Sequence, residues 1–71
     1  MNEYARILIE EYCESYKSKK SKRLAELLEL SYDMERFPDD NDSVFLEKVI
    51  GEENNLELKE AMQELDDFLF G

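Results

Sequence analysis

The stretch NNLELKEAMQELDDFLF, residues 54–70, decides the fold. Leu58, Ala61, Met62, Leu65, Phe68 and Leu69 recur at spacings of three and four, which puts them on one stripe of a helix of 3.6 residues per turn. Asn54 followed three residues on by Glu57 has the form of a capping box, so the helix is expected to begin there.

The same periodicity runs through the rest of the chain. From Glu3 to about Ser18 the residues Tyr4, Ala5, Leu8, Ile9, Tyr12, Cys13 and Tyr16 share one broad face, while Ile7 falls outside it among Glu10, Glu11 and Glu14. A second helix is expected from near Ser21, with Leu24, Leu27 and Leu28 as its stripe and Leu30, Met34 and Phe37 widening it. Pro38 lacks the amide that a continuing helix needs, so the chain should break into an exposed acidic loop, PDDND. Asp42 or Ser43 is then placed to cap a third helix with Phe45, Leu46, Val49 and Ile50 on its core side, and Gly51 stands where a left-handed C-terminal cap is wanted.

No segment alternates with period two, and there are only two glycines and one proline. The expectation is therefore an all-α fold, a small antiparallel bundle of three to four helices forming a single domain over residues 1–71.

Composition narrows the function classes. Seventy-one residues bury only about 60% of their unfolded surface, so a homodimer or a bound partner would add to a thin stability margin. The one cysteine, Cys13, excludes an internal disulfide and fits a reducing cytoplasm. No apolar run approaches the ~18 residues of a membrane span, and MNEYAR lacks the basic and apolar segments of a signal peptide, so a soluble cytoplasmic chain with no membrane partner is expected. Histidine is absent, which removes the commonest general base and metal ligand together. Cys13 sits on an apolar face without a base to activate it, and reads as a small core residue. No enzyme, cofactor or metal is expected. Asp39, Asn41 and Ser43 imitate the start of a calcium loop, but Val44 stands where glycine is required and Ile50 where a bidentate glutamate is required.

Charge is the strongest signal. The formal net charge is -10. From Asp39 to Gly71 eleven Asp or Glu face only Lys48 and Lys59, a local net charge of -9. Glu57, Glu60, Glu64 and Asp67 align at i, i+3, i+7 and i+10 on the last helix. They span about 15 Å at 1.5 Å of rise per residue, or one charge per ~5 Å. A nucleic-acid strand carries one per ~3.4 Å, the same order. Like charges at these spacings repel, and carboxylates near a helix C-terminus oppose its dipole, so local helix stability does not explain the row. Asp39, Asp40, Asp42, Glu57, Glu60, Glu64 and Asp67 are the candidate partner-binding residues, with Ile7 a candidate exposed anchor and Phe70 a second apolar residue off its helix's stripe.

Against this acidity stands KSKKSKR, residues 17–23. Lys17, Lys19 and Lys20 suit the end of helix one, where positive charge complements the dipole. Lys22 and Arg23 open helix two, where it does not, so they need an acidic neighbouring helix or phosphates. SKRLAELLELS resembles the first helix of a helix-turn-helix module, but the acidic, proline-broken YDMERFPDD follows where a basic recognition helix should stand. A chain of this charge repels a phosphate backbone, so direct nucleic-acid binding is not expected.

In size and charge over its whole length, and in no shared motif, the chain is similar to the small acidic inhibitors with which phages and bacteria block nucleases or nucleic-acid-binding machinery, immunity proteins of nuclease toxins among them. That resemblance implies a nucleic-acid mimic that occludes a basic protein surface. The alternative is a self-associating helical module whose acidity serves only solubility.

Overall fold

In the computed structural model, which describes residues 1–33 and 36–71, four helices follow one another: α1 (Glu3–Tyr16), α2 (Lys19–Tyr32), α3 (Asp40–Glu52) and α4 (Leu56–Phe70). The expected all-α bundle is what forms. Ile9, Leu24, Leu27, Leu46, Met62 and Leu65 are fully buried at its centre, so every helix contributes to one apolar cluster. α1 packs on α2 and α4, α3 packs on α2 and α4, α2 also touches α4, and α1 and α3 do not meet. Among the described residues no helix is long and apolar enough to cross a membrane.

The helix ends differ from the sequence expectation in instructive ways. α1 stops at Tyr16, and Lys17 closes it in the left-handed region (φ 44°), its amide donating to the Cys13 carbonyl. Ser18 is the N-cap of α2, its Oγ accepting from the Ser21 amide at 3.2 Å. Lys19 and Lys20 therefore open α2 rather than close α1. The α2 helix ends at Tyr32, so Phe37 is not part of its stripe but lies in the connection, 89% exposed; Met34 lies outside the described residues.

Asp39, not Asp42 or Ser43, caps α3. Its side chain accepts from the Asp42 amide at 3.0 Å, and the Asp42 carboxylate accepts from the Asp39 amide at 3.1 Å, a reciprocal capping box that draws DND out of the loop and into the first turn. Gly51 stays helical, because α3 runs on to Glu52 and is closed by an extended Glu53. Asn55 rather than Asn54 caps α4: its Oδ1 accepts from the Leu58 amide at 3.1 Å, while the Asn54 and Asn55 amides both donate to Glu53 Oε1. The displaced cap frees Glu57 from any capping box and turns it toward α1.

Two apolar assignments also change. Tyr4 (62% exposed) and Tyr16 (65% exposed) leave the core, because a row at four-residue spacing drifts around a helix of period 3.6. Phe70, expected to be exposed, is half-buried against the core, whereas Phe68 of the expected stripe is the more exposed of the two.

Candidate partner-binding groove

The tyrosines that leave the core reappear along the α1–α4 seam. One cavity of about 370 Å³ has Ala5, Leu8 and Ala61 as its apolar wall, Asn2 and Tyr4 beside them, and Glu57, Glu60 and Glu64 along the α4 edge. It meets a second, of about 190 Å³, at Leu8; this one is lined by Glu11, Tyr12, Ser15 and Tyr16 from α1, by Glu53 and Asn55 from the α3–α4 connection and by Leu58 from α4. Neither contains a lysine or an arginine among the described residues.

Several groups in the groove are held in place. Tyr4 Oη donates to Glu57 Oε2 at 3.1 Å, and that hydrogen bond, with the carboxylate charge behind it, raises the phenol above its ordinary value. The Asn2 side-chain amide donates to Glu64 Oε1 at 2.5 Å while Asn2 Oδ1 caps α1 through the Ala5 amide, so one asparagine ties the α1 N-terminus to the carboxylate row. Tyr12 and Tyr16 stack at 4.5 Å between ring centroids, tilted by 34°, and burial raises the Tyr12 phenol. The Tyr4 and Tyr12 phenols thus both lie above their ordinary value.

The carboxylates named from the sequence divide into three groups. Glu57, Glu60 and Glu64 line the groove; Asp67 continues their row beyond it and accepts from Gln63 Nε2 at 3.3 Å. Asp39 and Asp40 are exposed at the start of α3, away from the seam. Asp42 is 3% exposed, forms an ion pair with Arg23, and offers no surface to a partner. Ile7 is 41% exposed but lines neither cavity. The tyrosines were missed because three- and four-residue spacing had put them in the core; the signal was the strict four-residue spacing of Tyr4, Leu8, Tyr12 and Tyr16.

The groove can hold a cationic side chain. A lysine or arginine stem would pack on Leu8 and Ala61, and its head would meet carboxylates and tyrosine faces, which attract cations through the ring quadrupole. Elsewhere, Cys13 is half-buried and burial raises its thiol, the opposite of what a nucleophile needs. Comparison with protein-family models, curated proteins and solved structures finds no match to this chain, so the residues themselves carry the functional reading.

Proposed function

We propose that this protein binds and occludes a basic surface of another protein, as an inhibitor of a nuclease or nucleic-acid-binding protein would, with the α1–α4 groove as its contact. The observation that carries this reading is the composition of the groove's lining: Glu57, Glu60 and Glu64 on α4, Glu53 before it, Glu11 and three tyrosines on α1, and no lysine or arginine among the lining residues. Surface pairs contribute little individually, so the expected role of the row is to steer a basic partner and set its register, while the tyrosines supply packing. The carboxylate spacing of ~5 Å on α4 suits a surface built to hold phosphates.

The test is a titration of the isotopically labelled protein with a short arginine-rich peptide, followed by amide chemical shifts. The reading expects the largest shifts at Leu8, Tyr12 and the 57–61 turn, and their loss in the Glu60→Lys, Glu64→Lys double variant. Shifts of equal size over Glu26, Glu29 and Asp40 would leave only nonspecific attraction.

A second reading has one observation in its favour. Tyr32 and Phe68, near the C-terminal ends of α2 and α4, and Phe37 in the α2–α3 connection are exposed, and Phe37 and Phe68 flank a cavity of about 310 Å³ with Leu30, Pro38 and Leu69. These aromatics suit self-association. A strict monomer in sedimentation at micromolar concentration removes that reading.

A further inference from the structure

Along the α2–α3 seam the charge pattern inverts. A groove of about 290 Å³ between α2 and α3 has Phe45 and Val49 as its floor and Lys19, Lys20, Lys48 and Glu52 as its rim. Lys20 is neutralised by Glu52 at 3.1 Å. Lys19 and Lys48 are exposed and have no ion-pair partner among the described residues, in a chain with 19 carboxylates and nine Lys or Arg. What sets this pair apart from the chain's other unpaired lysines is that both line one groove with Phe45 and Val49. Helix stability does not account for Lys19, which opens the first turn of α2, where the dipole disfavours cations.

We propose that this groove docks an acidic peptide segment carrying one apolar anchor: the anchor lies on Phe45 and Val49, and flanking carboxylates pair with Lys19 and Lys48. Charge complementarity selects the occupant. The body of the chain repels an anion at long range, but at physiological salt the Debye length is about 8 Å, so the nearby lysines dominate once the segment is in contact. The inference is independent of the α1–α4 groove, since it involves different residues and the opposite charge.

The probe is a short fluorescein-labelled peptide of Asp and Glu around one central Phe, titrated into the full chain at about 0.15 M salt and followed by anisotropy and by amide shifts. The expected result is saturable binding with shifts at Phe45, Lys48 and Val49. The Lys19→Glu, Lys48→Glu double variant should weaken it about tenfold or more, and a peptide with Ala for Phe should lose most of the affinity. Both lysines are exposed, so the double variant keeps the core intact; unchanged circular dichroism checks this. Absence of binding at millimolar peptide, or binding indifferent to the double variant, overturns the proposal. So does tighter binding of a single-stranded oligonucleotide at the same residues, which would assign the groove to phosphates, or concentration-dependent sedimentation abolished by the same variant, which would assign it to a second copy.

Discussion

Arg23 of α2 reaches Asp42 of α3, joining the last residue of the basic run to the third residue of α3, which closes its capping box. Asp42 is buried, whereas the Arg23 side chain is partly solvated and also holds Glu26 at 2.5 Å. The two ends of the pair are therefore unequal. Removing the arginine strands a buried carboxylate; removing the carboxylate leaves a guanidinium that still reaches water and Glu26. Arg23→Met should cost about 3 kcal/mol, and Asp42→Asn about 1–2 kcal/mol through the weakened cap. Urea unfolding of both variants checks this, and the reverse order would contradict it.

Adjacent residues in the α1–α2 turn should respond with opposite signs. Lys17 holds a left-handed conformation that costs a side-chain-bearing residue about 1 kcal/mol, so Lys17→Gly should stabilise by about that much. Ser18→Ala removes the α2 cap and should destabilise by about 1 kcal/mol. Thermal melts of the two single variants measure both.

Asp66 carries a pH dependence whose sign is fixed. Burial raises its carboxyl first, then the charge of Asp67 and that of Glu47 on α3, with the Gln63 hydrogen bond opposing. Because the folded form holds its proton more tightly than the unfolded form, this group's contribution to stability falls as pH rises from the ordinary carboxylate value through the raised one. Asp66→Asn should therefore raise the melting temperature at pH 7 by about 2 °C and flatten that slope. A lower melting temperature would show that the charge is used in the fold.

Cys13 should be slow. Half-buried, with a raised thiol, it should react with an aromatic disulfide reagent at pH 8 roughly tenfold more slowly than free cysteine, and recover the full rate in urea. Fast reaction in the native state would mean that α1 opens readily from the bundle.

Helix number, order and most core positions were legible because burial imposes a periodicity that Leu24, Leu28, Leu46, Val49, Met62 and Leu65 obey. The ends were less so. Asp39, Asp42, Asn54 and Asn55 are all good caps by residue type, and only tertiary pairing, as between Asp42 and Arg23, selects among them. The carboxylate row of α4 was visible from spacing alone. Its facing wall was not, because whether Tyr4 and Tyr16 are core or surface depends on how α4 lies against α1. The basic run read as one unit, yet the fold divides it: Lys17 and Ser18 make the turn, Arg23 enters the bundle, and Lys19 and Lys20 meet Lys48 across a seam that no local pattern reveals.

The most direct measurement of the central claim is a paired capture from host lysate, with the wild-type chain and the Glu60→Lys, Glu64→Lys variant as baits, each washed at low and then high salt and quantified by mass spectrometry. A basic nucleic-acid-handling protein held by the wild type, released by salt and absent from the variant is the predicted result. The same proteins retained by both baits, or retained regardless of salt, would contradict it.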